Sequence, residues 1–284
     1  MKQRRDFIKN LSALALGSVF LPSLAEASIK GSSLGKVKDI GIQLYTVRKE
    51  MLTDPTGTLK QLAALGIKEI ESASDPAKGA YYGLQPKEMK QICKDLGMTL
   101  RSGHVSLNGQ WQQTMDNAAE SGQEYLIVSS LPSRGQTVDN YKKISEMFNK
   151  AGEECEKLNI KFGYHNHGEE FQEENGQILF DVLLNNTDPK LVHMEMDIGW
   201  VVAAGKDPIQ YFKNFSGRFP LWHLKDMNGN TSTEFGKGSL DVVNLLKNRK
   251  LSGLKYFFVE QEEYTSTPME SMKQNMEYLH NLDI

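Results

Sequence analysis

The segment Lys161-Phe162-Gly163-Tyr164-His165-Asn166-His167 sets two histidines on alternate residues at the end of a short apolar run. Other short apolar runs end in the same manner, on Tyr45, Glu71, His104, Asp197, His223 with Lys225, and Glu260 with Glu262. Imidazoles and carboxylates together supply the nitrogen and oxygen donors that suit a divalent cation with coordination positions left open. In an extended segment, residues two apart share one face. That rule puts His193, Glu195 and Asp197 on one side of their run, and His223 with Lys225 on one side of theirs. Glu260 takes the matching position in Phe258-Val259-Glu260. The candidate cation ligands are therefore Asp197, His223, Glu260 and one histidine of the 161–167 run. A single polar residue at a strand end is usually a hydrogen-bonded structural group. Four on successive runs favour a metal.

The elements that must position these residues follow a steady beat. Strands are expected over 39–45, 67–72, 99–105, 124–129, 161–165, 191–197, 219–225 and 255–261. Helices are expected over 56–65, 86–96, 111–121, 139–158, 178–185, 208–215, 240–248 and 268–282. Asp54-Pro55 and Asp207-Pro208 read as helix starts, while Gly66 and Gly97 read as stops. Eight strand–helix repeats without a linker predict an α/β chain folded as a single (β/α)8 TIM barrel. The alternative, an open doubly wound sheet, lacks a glycine-rich phosphate fingerprint after its first strand. A barrel demands that functional residues gather at the C-terminal ends of its strands, where the ionisable residues named above fall.

Length and composition agree. The chain has 284 residues, of which 39% are hydrophobic, enough for a large core. A net charge of -3 with dispersed acids and bases leaves no basic stripe for a phosphate backbone, so no nucleic-acid partner is expected. Cys93 and Cys155 show neither zinc-site nor disulfide spacing and read as packing residues. Residues 1–27 read as an export signal, with Arg4-Arg5-Asp6-Phe7-Ile8-Lys9 of twin-arginine type and an Ala25-Glu26-Ala27 cleavage pattern. The expectation is a barrel over 28–284, exported to the periplasm and free of any membrane span after processing. A homo-oligomer is compatible with this reading.

The motifs Tyr164-His165-Asn166-His167-Gly168, Met196-Asp197-Ile198-Gly199-Trp200, His223-Leu224-Lys225-Asp226 and Phe258-Val259-Glu260 resemble the xylose isomerase-like TIM barrels of the sugar phosphate isomerase/epimerase family. The opening Gly41-Ile42-Gln43-Leu44-Tyr45-Thr46-Val47-Arg48 and the segment Gly236-Lys237-Gly238-Ser239-Leu240-Asp241 resemble it too. The resemblance implies a small sugar substrate and one divalent cation, manganese first, with cobalt, magnesium or zinc as alternatives. It also implies isomerisation or epimerisation through proton removal beside a carbonyl and a metal-stabilised enediolate. Epimerases of this kind hold their metal with a glutamate, an aspartate, a histidine and a second glutamate. Asp197, His223 and Glu260 match three of these. His165 stands where the first glutamate would be, which favours His165 as ligand and His167 beside the substrate, the reverse assignment staying open. With one glutamate missing, a lyase or hydratase acting on 3-keto sugars or glycosides becomes the alternative. A non-catalytic sugar-binding barrel is the further one. Related nucleases carry an added histidine where this chain has Trp200.

Glu260, His165 and Lys225 are the expected catalytic residues. Lys225 would meet developing oxyanion charge, unless an ion pair with Glu195 or Glu260 occupies it. His104, His167, Tyr45 and Trp200 are the expected substrate contacts, and Tyr81, Tyr82 and Trp111 are weaker stacking candidates. Glu71 either orients a ligand or forms a salt bridge with a neighbouring barrel residue, the second being preferred, and His193 and His280 read as structural. Asp226 falls on the face opposite His223. Residues 168–174 read as a solvated loop whose Phe171 packs over the site.

Overall fold

The computed structural model describes residues 36–284, and the export signal expected in residues 1–27 lies outside the described residues. Eight parallel strands close a barrel: β1 (Gly41–Gln43), β2 (Glu69–Ser72), β3 (Thr99–Val105), β4 (Tyr125–Val128), β5 (Lys161–His165), β6 (Val192–Asp197), β7 (Leu221–Leu224) and β8 (Tyr256–Val259). Each pairs with its neighbours in sequence, and β1 closes on β8 with Gly41 opposite Phe258 and Ile42 opposite Val259. Gly41 is required at that seam, since a Cβ there would lie 2.6 Å from the Phe258 ring and 2.7 Å from the Phe257 carbonyl oxygen.

The outer layer consists of α1 (Pro55–Ala64), α2 (Pro86–Asp95), α3 (Trp111–Ser121), α4 (Val138–Glu156), α5 (Leu179–Asn186), α6 (Pro208–Asn214), α7 (Val242–Ser252) and α8 (Pro268–Asn281). Their starts follow from local chemistry. Asp54 accepts the Gly57 amide at 2.9 Å and Asp207 the Ile209 amide at 2.8 Å, each just before a first-turn proline that has no amide to leave unpaired. Short elements that the periodicity does not reveal lie at the C-terminal ends of the strands. They are a 3-10 turn Leu44–Val47 leading into a helix Arg48–Thr53, a helix Ile198–Ala203, and two small hairpins.

Outward residues such as Leu126, Val128, Trp222 and Leu224 belong to the main core between strands and helices, whereas Tyr125, Ile127, Leu221 and Phe258 make a separate buried cluster. The latter share the inward parity of His223 and Glu260, so the barrel is filled below the ionisable layer, as a packed barrel requires. At the N-terminal end, Arg101 binds Glu69 at 2.7 Å and also Glu124, whose carboxylate accepts the Tyr256 hydroxyl at 3.1 Å. The guanidinium also stacks over the Tyr256 ring at 4.8 Å.

Candidate active site

At the C-terminal end the inward positions of six strands deliver Glu71 (β2), His104 (β3), His165 (β5), Glu195 and Asp197 (β6), His223 and, just beyond it, Lys225 (β7), and Glu260 just beyond β8. All are buried. Ligand atoms of His165, Asp197, His223 and Glu260 lie within 4.8 Å of one another, and so do those of His104, His165, Glu195 and His223. The ring nitrogens decide how these two overlapping groups are used. His223 turns Nδ1 toward Glu260 at 2.8 Å and Asp197 at 4.0 Å, and Nε2 toward Glu71 at 2.5 Å and Glu195 at 3.2 Å. His165 turns Nε2 toward Asp197 at 3.7 Å and Nδ1 toward Glu195 at 3.2 Å. Each imidazole thus offers one nitrogen to the upper group while a deeper carboxylate faces the other. This is how proteins orient histidines on a metal.

The upper group fits a divalent cation on several counts. Asp197 Oδ1 accepts the Trp200 amide at 3.0 Å, capping the helix Ile198–Ala203, while buried Oδ2 makes no hydrogen bond. Lys225 Nζ stands 2.9 Å from that Oδ2 without hydrogen-bond alignment, so an oxygen with unspent acceptor capacity faces the cluster. Asn166, fully buried, fixes the strand ends by accepting the Asp197 amide at 3.1 Å. Burial, with the charges of His223 and Lys225, holds His165 well below the usual imidazole range, so it is neutral. Burial opposes the charge of His223 too, but Glu195, Glu260 and Glu71 outweigh it and hold His223 well above that range, so His223 would release a proton on taking a cation. The donor set, two imidazoles and two carboxylates, matches manganese, zinc or cobalt more closely than the all-oxygen preference of magnesium.

The remaining charges divide by depth. Burial opposes ionisation of Glu71, but the His104 and His223 charges and the His223 hydrogen bond outweigh it and bring the carboxyl down to about 2. Burial and the Glu71 charge push Glu195 well above the carboxylate range, so it keeps its proton. Burial alone would discharge Lys225, yet Asp197, Glu260 and Glu262 hold its ammonium well above the usual lysine range, with Nζ 2.8 Å from Glu260 and 2.7 Å from Glu262.

A cavity of about 260 Å³ opens above, lined by Tyr45, Ser74, His104, His165, His167 and Glu260 among others. Tyr45 is an exposed rim residue with the Arg48 guanidinium 4.2 Å over its ring. His104 has Nε2 engaged by Glu195 at 2.7 Å and borders the cavity. His167 stands at the cavity wall, its ring 5.0 Å from that of His165. Trp200 lies outside that lining, 6.5 Å from the His167 ring and with Lys225 Nζ 5.2 Å from its own.

Several expectations change. Glu71 makes the expected ion pair with a barrel residue, His223, and is bonded to Gln43 Nε2 at 2.8 Å, and that pairing makes it a member of the cluster. Its inward parity on β2 was the available signal. Of the two partners expected for Lys225 it pairs with Glu260 and not Glu195, and Asp197 and Glu262 join them, so the ion pair and not an oxyanion occupies it. Residues 168–174 are not simply a solvated loop, because Glu170 is buried, takes the Tyr164 hydroxyl and accepts the His167 amide at 2.9 Å. Phe171 packs on Phe180 and Tyr211, away from the cavity. Trp111, expected as a weak stacking candidate, packs edge-on against Phe162. Asp226, on the outward face, accepts the amides of Gly236, Gly238 and Leu240 at 2.9, 3.1 and 2.9 Å.

A family model described as the xylose isomerase-like TIM barrel matches residues 59–282. The chain belongs to that family. Among solved xylose isomerase-like barrels, a sugar phosphate isomerase/epimerase from Parabacteroides distasonis is 28% identical and superposes with a TM-score of 0.77, covering 90% of this chain and 97% of its own. A 3-keto-D-glucoside 4-epimerase from E. coli superposes at TM-score 0.68, over 87% of this chain and 100% of its own, but at 13% identity this is likeness of fold alone. Among curated relatives, the inosose dehydratase of Clostridium tetani is 32% identical over 122 residues, 42% of this chain. That stretch spans 36% of the dehydratase's length.

Proposed function

We propose that this protein is a divalent-cation-dependent enzyme that moves a proton at the carbon beside a sugar carbonyl, as an isomerase or epimerase. The supporting observation is the placement of Glu260, which belongs to the cation-facing group and also lines the cavity. Its Oε2 is held by His223 and by Lys225, each at 2.8 Å, while Oε1 makes no hydrogen bond to a described residue. Burial opposes its charge, but Lys225 and His223 keep it well below the usual carboxylate range, so it is in the form that accepts a proton. Lys225, occupied by Asp197, Glu260 and Glu262 and outside the cavity lining, holds Glu260 in place and does not meet the substrate oxygen. The cation, held by His165, Asp197, His223 and Glu260, would supply Lewis acidity to the carbonyl. Manganese remains the first choice.

Elimination is a second reading, favoured by His165. Where a second carboxylate base would face the substrate, this ring is almost fully buried and turns Nδ1 toward Glu195. One carboxylate suffices to remove a proton before a neighbouring hydroxyl leaves as water, and the inosose dehydratase relatives agree in kind. A panel of keto-sugars in D2O separates the outcomes. Deuterium gained without change of composition marks isomerisation or epimerisation, and loss of water marks a lyase. Glu260→Gln should lower turnover by about 10²–10⁴-fold with sugar binding retained. Undiminished exchange in that variant would assign the proton transfer to a different base, and no exchange by the native protein would leave a sugar-binding barrel. Export by the twin-arginine route belongs to the same proposal, and periplasmic fractionation of an Arg4→Lys, Arg5→Lys double variant tests it. An exported site would favour unphosphorylated sugars.

A further inference from the structure

A second chamber of about 320 Å³ adjoins the first, and the two share Ser129 and His167 in their walls. Its outer wall is the loop between β4 and α4, carrying Ser133, Arg134 and Gln136, and Glu169 closes the far side. The base is fixed: the Tyr164 hydroxyl meets the Glu170 carboxyl, whose other oxygen accepts the His167 amide, so the partition between the chambers is tied to the barrel. The lining keeps capacity in reserve. Arg134 has no hydrogen-bond or ion-pair partner among the described residues, and Gln136 spends Oε1 on the Tyr141 hydroxyl at 2.6 Å while its amide nitrogen makes no bond. None of these residues belongs to the cation cluster.

The geometry points to a second-sugar subsite: this chamber binds a neutral sugar ring joined by a glycosidic bond to the ring that reacts beside Glu260. The inference rests on the reading of the cavity given above and narrows its substrate class to glycosides and disaccharides. Size supports it. A hexose displaces about six waters, on the order of 200 Å³ at ~30 Å³ each, so either chamber takes one ring and the pair takes two. The lining also suits a ring, with unspent donors in Arg134 and Gln136, an acceptor in Glu169, and apolar surface from Leu131. A phosphate fits less well, because the single guanidinium shares the chamber with the carboxyl groups of Glu169 and Glu170.

The test is calorimetric titration of the manganese-loaded protein with glucose, cellobiose, maltose and glucose 6-phosphate, on the native chain and on Arg134→Ala and Gln136→Ala. The expected result is that one disaccharide binds about tenfold or more tightly than glucose, the yield of one or two net hydrogen bonds. In the variants that advantage should vanish while glucose affinity stays unchanged. Equal affinity for glucose and both disaccharides, tighter binding of glucose 6-phosphate, variants that weaken glucose and disaccharide alike, or no binding of any probe would each overturn the subsite. Deuterium exchange is scored separately. A disaccharide preference without exchange into any keto-sugar would keep the subsite and sink the proposed reaction.

Discussion

At the N-terminal end of the barrel, half-buried Arg101 stands between Glu69 and Glu124 and is matched by them bond for bond. At the C-terminal end, Lys225 is a permanent cation set among Asp197, Glu260 and Glu262, with Glu71 and Glu195 deeper and three imidazoles between. Both ends carry ionisable residues on inward positions of the same strands, β2 and β3 among them. Below, one guanidinium bonds both carboxylates and an aromatic ring covers it. Above, buried oxygens of Glu71, Glu195 and Asp197 are left without hydrogen bonds, and acid exceeds fixed base. The difference teaches that strand parity selects which residues face inward, while the balance of donors and acceptors separates a structural brace from a site built for a ligand.

The contrast can be broken by substitution. Asp197→Asn retains the helix cap on Trp200 but removes the charge from the upper group, and manganese affinity should fall by at least about 100-fold with the melting profile of the cation-free protein little changed. Unaltered affinity by calorimetry would show that the cation does not use this group. Glu71→Gln and Glu195→Gln sharpen the comparison within the upper end. Glu71 is ionised against His223, so its loss should weaken manganese by about 10–100-fold. Glu195 keeps its proton, for which glutamine is a near match, so the effect should be smaller. Equal losses, or the reverse order, would reject that assignment of charge. At the lower end Arg101→Met should cost about 1–3 kcal/mol in denaturant unfolding, since Glu69 loses its buried partner, and leave proton transfer per folded molecule unchanged. A drop in that rate would mean the brace also shapes the mouth.

Most of the frame was legible because its signals are local. The predicted strand 161–165 coincides with β5 and the predicted helix 111–121 with α3, and helices expected from Asp-Pro pairs begin within a residue of where they were placed. The helices Arg48–Thr53 and Ile198–Ala203 were not legible, because six residues are too few to show a period. The upper ligand group followed from alternation along β6, β7 and β8. The role of Glu71 did not, since its partner His223 comes from β7 across the barrel and meets it only when the barrel closes, whereas Gln43 is its register neighbour on β1. Glu170 reads as solvent-facing within an acidic run, and the Tyr164 hydroxyl and His167 amide that it binds explain its burial.

Lys225 and Asp226 are adjacent yet serve opposite sides of the wall, the first among the carboxylates and the second holding the 236–240 segment. Asp226 grips that segment by its peptide groups alone, and a Cβ on Gly238 would lie 2.2 Å from its oxygen. The segment's shape is thus inherited chiefly from one aspartate and a glycine, with the Lys237 side chain tying it to Glu234 and Gln274 and the Ser239 hydroxyl to the Met227 carbonyl. A library randomised at positions 237 and 239 should therefore lose the side-chain ties to Glu234, Gln274 and Met227 yet keep the turn that Asp226 and Gly238 set.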